Sequence, residues 1–109
     1  MSPSKETQEA MQRLHLLEQN VQTLNSQKQQ FAAQLFELEG ALKELSGAQT
    51  TYKIVGGLMI ATDRVALEND LNGKKEMIEL RVQTLEKQEK QIKEKVKKLH
   101  EEILAAHKE

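Results

Sequence analysis

The sequence predicts a mainly α protein, a long antiparallel two-helix coiled coil with an intervening β-hairpin. Two observations lead to this prediction. Apolar residues recur with heptad spacing in two long segments, and a short segment rich in β-branched residues separates them around a Gly-Gly pair. Composition agrees, because 30% of the 109 residues are charged and only 3% are aromatic. A compact core normally contains several large aromatic side chains, so long helices are the better expectation.

Composition also limits the possible functions. A formal net charge of −1 gives no general attraction to nucleic acid or to an anionic membrane. The absence of cysteine removes disulfides, thiolate chemistry and cysteine-ligated zinc. The first residues, MSPSKETQEAMQ, lack the apolar core of a signal peptide, and no apolar run approaches the ~20 residues that cross a bilayer. We therefore expect a cytoplasmic protein.

The first heptad segment predicts a helix over about residues 5–46. Its apolar residues alternate with spacings of three and four, the condition for a left-handed coiled coil. The two seam positions hold Leu14, Val21, Lys28, Leu35 and Leu42, and Leu17, Leu24, Phe31, Leu38 and Leu45. Ser4 or Thr7 is a candidate N-cap, and Ser46-Gly47 is a candidate stop.

The second heptad segment predicts a helix over about residues 63–107, with Thr62 or Asp63 as its N-cap. Its seam positions hold Leu71, Ile78, Leu85, Ile92 and Leu99, and Lys75, Val82, Glu89, Val96 and Ile103. Too few residues join the segments to cross a long helix, so the two helices must fold back antiparallel. The fold-back then brings Lys28 near the level of Glu86 and Glu89. A Lys–Glu contact would fix the register there, although solvent exposure of both side chains is an equal alternative.

The connector, TYKIVGGLMIAT over about 51–62, predicts a β-hairpin. Gly56-Gly57 tolerates the positive φ of a two-residue primed turn. This turn sets Val55 opposite Leu58, and each earlier strand residue opposite the corresponding later one. Apolar residues then occupy both faces of the hairpin: Tyr52, Ile54, Val55, Leu58, Met59 and Ile60. An isolated two-stranded hairpin is marginal in water and has unpaired edges, so these residues predict oligomerisation.

Helix, YKIVGGLMI hairpin and helix together resemble the prefoldin β-type subunit, over essentially the whole chain. The resemblance is most specific at Tyr52–Ile60 and along KKEMIELRVQTLEKQE, which runs from Lys74 to Glu89 and looks closest to archaeal members. A single hairpin marks the β type, since α-type subunits are similar but carry two. The resemblance implies one prefoldin-like domain over 1–109.

The resemblance also implies the partners and the activity. Family members assemble as two α-type and four β-type subunits, and their hairpins close into β-barrel-like platforms that carry six coiled-coil arms. The arm tips hold unfolded client proteins and pass them to a group II chaperonin without nucleotide. By this resemblance we expect an ATP-independent holdase subunit with no cofactor and no metal.

The free ends of the helices carry apolar residues suited to holding clients. Such a role requires exposed, adaptable apolar surface presented at several linked points. The candidates are Met11, Leu14, Leu16, Leu17, Ile103 and Leu104. Leu16 and Leu104 lie off the seam, so packing between the helices does not fully explain them. Closing the coiled coil is the competing explanation for Leu14, Leu17 and Ile103.

Lysines gather late in the second helix. The resemblance makes Lys97, Lys98 and Lys108 candidates for contact with an acidic chaperonin surface, where charge pairing favours fast encounter. Interleaved glutamates support a plain solvated helix face instead. The histidines do not have the spacing of a metal site, because His100 and His107 are seven residues apart on one helix.

Nothing in the sequence predicts catalysis, because it has no nucleotide-binding loop and no nucleophile elbow. Two alternatives to a chaperone stay open. A helical-hairpin RNA-binding arm would use the Lys-rich second helix and would bind with steep salt dependence, but it leaves the apolar hairpin unexplained. A purely structural coiled-coil scaffold would dimerise through the seams and would not suppress aggregation of another protein.

Overall fold

The computed structural model describes residues 4–108, and the side chains of residues 4–107. Helix α1 spans Lys5–Leu45, strand β1 spans Thr51–Val55, strand β2 spans Leu58–Thr62 and helix α2 spans Arg64–Lys108. Neither of these described helices has an apolar stretch long enough to span a membrane.

Side-chain caps define where both helices begin. The Ser4 Oγ accepts a hydrogen bond from the Thr7 backbone N–H at 3.1 Å, so Ser4 is the N-cap of α1. The Asp63 carboxylate accepts one from the Ala66 N–H at 3.1 Å and caps α2 in the same way. In each case the structure selects one of the two residues that the sequence offered as caps.

Helix α1 ends at Leu45, one residue before the predicted boundary. The Ser46 N–H still reaches the Leu42 carbonyl at 3.3 Å, and the Ser46 hydroxyl donates to the Lys43 carbonyl at 2.8 Å. Gly47 does not adopt positive φ, since the described residues with positive φ are Gly56 and Gly57. The helix therefore stops at the predicted place without the left-handed glycine that commonly ends helices.

The chain divides into two compact units. The hairpin unit is Gln30–Val82, and the end unit consists of residues 4–29 and 83–108. In the hairpin unit every predicted seam residue is shielded from solvent: Phe31, Leu35, Leu38, Leu42 and Leu45 from α1, and Leu71, Lys75, Ile78 and Val82 from α2. Shielded residues outside the predicted seam are Ala48, Thr51, Thr62, Leu67 and Glu68. Lys75 lies in this seam and reaches Glu39 of α1 at 3.8 Å.

The interior of the end unit is likewise formed by the seam between its two helical segments. Its shielded side chains are again those of the seam: Leu14, Leu17, Val21, Leu24 and Lys28 from α1, and Leu85, Glu89, Ile92, Val96, Leu99 and Ile103 from α2. Thr7 and Ala10, seven residues before Leu14 and Leu17, are also shielded and extend the seam toward the start of α1. Leu99 is one of the most buried apolar side chains, at 7% exposure. Lys28 contacts Glu89 and Glu18 contacts His100, so later residues of α1 meet earlier residues of α2 and the helices run antiparallel in this unit.

Candidate functional site

The hairpin has the turn and register that the sequence predicts. Gly56 and Gly57 have φ of 57° and 79°, which only a primed turn requires at both central positions. The strands pair antiparallel with Val55 opposite Leu58 and Ile54 opposite Met59, continuing to Thr51 opposite Thr62. Because side chains alternate along a strand, Tyr52 and Ile54 share one face and Val55 and Leu58 share the other.

A threonine pair fastens the base of the hairpin. The Thr51 hydroxyl donates a hydrogen bond to the Thr62 carbonyl at 2.6 Å, and Thr51 is buried. The hydroxyl adds a bond at the point where the hairpin leaves the helices. Hydroxyl side chains at the first and last hairpin residues are visible in the sequence, but their hydrogen bond was not predicted.

Both faces of the hairpin are apolar and open to solvent. Exposure ranges from 48% for Ile60 to 72% for Ile54, and the full set is Tyr52, Ile54, Val55, Leu58, Met59 and Ile60. Leaving this much adjacent apolar surface in water is unfavourable, at about 25 cal/mol per Å². Contiguous exposed apolar surface of this kind commonly marks an interaction site. The hairpin is therefore the strongest candidate for an assembly surface in the chain.

One ion pair connects the hairpin to α2. Lys53 Nζ lies 4.0 Å from Asp70 Oδ2, and Lys74 Nζ lies 3.6 Å from the same oxygen. All three side chains are about half exposed, so the pairs contribute little to stability. The sequence did not point to this contact, because nothing in the heptad pattern gives the rotation of the hairpin about the helices.

A second apolar feature that the sequence did not predict is a groove beside the helix seam of the hairpin unit. It is about 550 Å³ and is lined by Phe31, Leu38, Ala41, Met77 and Ile78, with charged side chains at its rim. Met77 is 57% exposed. Ala41, a small residue beside the seam residue Leu42, is the one signal of this groove in the sequence.

The client candidates in the end unit fall into two groups. Leu14, Leu17 and Ile103 are half-buried seam residues, so they close the contact between the helices. Met11, Leu16 and Leu104 are exposed by 50%, 60% and 58%. The three seam residues are thus shielded, and the other three candidates are open to solvent.

The three exposed residues do not form one patch. Met11 follows the seam residue Ala10 and Leu104 follows Ile103, which places both on the same side of an antiparallel pair. Leu16 precedes the seam residue Leu17 and lies on the opposite side. Apolar side chains therefore flank both sides of the end unit.

Two opposite charges lie within the seam of the end unit. Lys28 Nζ is 3.3 Å from Glu89 Oε2, and Lys93 Nζ is 2.9 Å from Glu89 Oε1. The Glu89 side chain is only 12% exposed. Of the two alternatives that the sequence left open for Lys28, the structure shows the contact with Glu89, whereas the part played by Lys93 was not predicted.

These contacts lower the pKa of Glu89 below its ordinary value. The hydrogen bond from Lys93 is the largest cause. Burial in the seam opposes it, and the hydrogen bond and charge of Lys28 assist it, together with the charge of Lys93. The carboxylate is thus held in its charged form by two lysines, one on each helix.

The remaining candidates lie near the end of α2. Lys97 and Lys98 are exposed, and Lys108 is the last residue of the helix, but its side chain falls outside the described residues.

The histidines have ordinary polar partners. His100 Nε2 is 3.6 Å from Glu18 Oε1, and His15 shares a 3.2 Å hydrogen bond with Gln19. No group of three potential metal ligands occurs within the described part of the chain.

Comparison with known proteins identifies one family. Residues 6–109 match the family model described as prefoldin subunit. The prefoldin subunit beta of Pyrobaculum islandicum is 35% identical over 99 residues, which cover 88% of this chain and 79% of that protein. The prefoldin subunit beta of Thermococcus onnurineus is 36% identical over 92 residues, covering 82% and 79%.

Solved structures give the same result. The crystal structure of the prefoldin beta subunit from Thermococcus strain KS-1 superposes with a TM-score of 0.91 at 31% sequence identity. The match covers 96% of this chain and 95% of that one. The two long helices with a hairpin between them are therefore the architecture of that subunit as well.

Proposed function

This chain belongs to the prefoldin subunit family, and on that premise we propose that it is an ATP-independent holdase that captures non-native polypeptide at the free ends of its helices. Family membership makes it a chaperone subunit of a hetero-oligomeric prefoldin complex. The proposal adds the stoichiometry, the client site and the handover. It also assigns the activity to the cytoplasm.

In this proposal the hairpin is the surface through which the subunits assemble. Its unpaired edges and its two exposed apolar faces suit pairing with hairpins of neighbouring subunits in a β-barrel-like platform. Two α-type and four β-type subunits would then present six arms. Several arms raise the effective concentration of weak client contacts, so each contact can be individually weak.

The exposed apolar side chains of the end unit hold the client. The proposed activity depends on one observation. Met11, Leu16 and Leu104 are at least half exposed, although the seam residues beside them are shielded. Methionine and leucine on both flanks suit clients of varied sequence, because flexible apolar side chains adapt to different partners. Fraying of the helix ends would add Leu14, Leu17 and Ile103 to the contact.

Handover to a group II chaperonin is assigned to the late lysines. Lys97 and Lys98 are exposed on the outer surface of α2, near Leu104 along the helix, and Lys108 follows. Charge pairing with an acidic surface favours fast encounter and ready release. That combination suits transfer of a client rather than permanent binding.

Replacing Met11, Leu16 and Leu104 by serine tests the client site. Burying each of these side chains on a client would contribute about 1.5–3 kcal/mol of binding free energy. We therefore expect the triple variant to lose most of its ability to protect denatured citrate synthase from aggregation. Light scattering without ATP measures this loss. The complex should still assemble, because none of the three residues lies in the hairpin unit.

The matched control is the triple variant Q8S/Q12S/E101S, which changes three exposed polar residues of the same unit. It should protect the client as the wild-type chain does. Undiminished protection by M11S/L16S/L104S in an intact complex would reject the proposed client site.

A further inference from the structure

Amide side chains line a groove between the two helical segments of the end unit. The groove is about 280 Å³, and the half-buried seam residues Leu24 and Ile92 form its apolar floor. Its other lining residues are polar and exposed: Asn20, Thr23 and Gln27 from α1, and Gln88, Gln91 and Lys95 from α2. Two of the three polar residues on each helix are therefore amides, and we call this feature the amide groove.

The four amides of the groove are free to bind a ligand. None of their side chains takes part in a hydrogen bond among the described residues, whereas the neighbouring Thr23 hydroxyl already donates to the Gln19 carbonyl at 3.1 Å. Each amide carries two N–H donors and one carbonyl acceptor. A polypeptide backbone presents the same two kinds of group at every residue except proline. The groove therefore matches the chemistry of a main chain, whatever side chains that chain carries.

The ion pairs that flank the seam among the described residues of the end unit lie on the other side. Each amide of the groove directly precedes a seam residue, whereas Glu18, Lys93 and His100 directly follow one. His100 pairs with Glu18 at 3.6 Å, and Lys93 pairs with the seam residue Glu89 at 2.9 Å. Charge pairs therefore occupy one side of the end unit, and the amide groove on the other side is open to solvent.

The amide groove adjoins the candidate client residue Leu16. Asn20 lies four residues after Leu16 and Thr23 lies seven residues after it, so the three side chains share one stripe of α1. Leu16 is 60% exposed and, like the amides, directly precedes a seam residue. A polypeptide that is held at Leu16 and continues along α1 away from the free end meets the amides next.

We infer that the amide groove binds an extended segment of a client through the client's backbone. The amides of both walls donate to client carbonyls and accept from client N–H groups, while client side chains rest on Leu24 and Ile92. The inference rests on the proposed function and adds a second mode of recognition to it. Leu16 selects apolar side chains, whereas the groove selects unpaired main chain. A native protein is a poor ligand for the groove, because its backbone groups are already paired with each other.

A binding cycle between the groove and the peptide backbone tests the inference. The groove variant is N20A/Q27A/Q88A/Q91A. The control, Q22A/N25A/Q29A/Q83A, also removes one asparagine and three glutamines that are exposed in the same unit, but these do not line the groove. Each variant is assembled with a purified archaeal α-type prefoldin subunit. Fluorescence anisotropy then measures the binding of a short dye-labelled peptide of leucine, alanine and serine, and of the same peptide N-methylated at alternate residues, which lacks those N–H donors but keeps every side chain.

We expect the groove variant to bind the unmodified peptide about fivefold more weakly than the control does. N-methylation should weaken binding to the control complex by a similar factor. It should change binding to the groove variant little, because the donors that it removes have no partner there. Equal effects of N-methylation on both complexes would overturn the inference and leave the proposed function intact.

Three other results would also decide against the inference. Loss of the complex of six subunits from the groove variant, by native mass spectrometry, would show that the occupant is another subunit. A wild-type complex that protects denatured citrate synthase but binds neither peptide would remove the backbone site and leave the proposed function standing. A wild-type complex that does neither would overturn the proposed function and, with it, this inference.

Discussion

Glu89 is the residue whose surroundings depart most from those of an ordinary surface carboxylate. It lies in an apolar seam, yet lysines from both helices contact its two oxygens. A charged residue in a seam makes the helix pair less stable than an apolar residue would. It also disfavours every other register of the two helices, because in those registers the charge would lose its partner. We interpret the Lys28–Glu89 pair as a device that fixes the register of the end unit.

The first prediction concerns pH. Because the pKa of Glu89 is lower in the folded chain than in the unfolded chain, its stabilising contribution is fully present above the unfolded pKa. The contribution is lost as pH falls through the folded value. The wild-type chain should therefore be more stable than E89Q at neutral pH, and the difference should shrink toward about pH 3.

Urea unfolding followed by circular dichroism at both pH values measures this difference. E94Q is the control, since Glu94 is an exposed glutamate of α2 outside the seam. A gap between the wild-type chain and E89Q that stays constant with pH would contradict the assignment of the lowered pKa to the folded state.

The second prediction concerns four glycine residues. Replacing them with alanine should change the free energy of unfolding in opposite directions at different sites. Gly40 and Gly73 lie inside helices, and a methyl group added at either position would meet open space, so G40A and G73A should each raise the free energy of unfolding by about 0.5–1 kcal/mol. Gly56 and Gly57 have positive φ, so G56A and G57A should each lower it by about 1–2 kcal/mol. Thermal unfolding of the four variants checks both signs, and destabilisation by G40A or G73A would show that these positions require glycine.

At the scale of elements, the hairpin register was predictable and its setting was not. A Gly-Gly pair flanked by β-branched residues restricts the turn to two residues, and the turn then fixes every cross-strand pair. Seam residues followed from spacing, and helix bounds followed from cap and stop residues. The Lys53–Asp70 contact depends on how the hairpin is rotated about the helices, which periodicity does not encode. The Thr51–Thr62 bond lies within the hairpin and depends on the rotamer of Thr51, which the pairing register does not fix.

The same reasoning applies to the candidate site. Sequence spacing identified Leu16 and Leu104 as off-seam residues, and the structure shows them exposed. Spacing also placed the client candidates Leu14, Leu17 and Ile103 on the seam, and these residues are half-buried. Apolar character alone does not distinguish a side chain that closes the helix pair from one left in water.

The third prediction uses the edge of β1. Proline lacks an N–H and is tolerated in strands only where that group faces away from the partner strand. Val55 and Lys53 exchange backbone hydrogen bonds with Leu58 and Ile60, so the Ile54 N–H between them points away from β2. I54P should therefore preserve the hairpin while removing a donor that an added strand needs. We expect wild-type helix content by circular dichroism but loss of the complex of six subunits by native mass spectrometry.

I54V is the matched control, because it keeps the N–H and a β-branched side chain and should assemble normally. Normal assembly of I54P would show that the β1 edge does not take part in pairing between subunits.

At the scale of the whole molecule, apolar surface is distributed in an unusual way. The interior of each unit is a single seam, and the most buried apolar side chains are Leu45 and Leu99 among the described residues. Exposed large apolar side chains lie on the hairpin and at Met11, Leu16 and Leu104 instead, and also along the helices of the hairpin unit at Phe36, Val65, Met77 and Leu80. A chain with this distribution is suited to burying surface against other chains: neighbouring subunits at the hairpin, and clients at the free ends.

The central claim is that the hairpin makes this chain a subunit and that the assembled arms hold clients. Native mass spectrometry of the chain mixed with an archaeal α-type prefoldin subunit, with a parallel aggregation assay without ATP, tests it most directly. We predict a species of two α-type and four β-type subunits that keeps a denatured enzyme soluble. Monomer or dimer alone, with no effect on aggregation, would contradict the account.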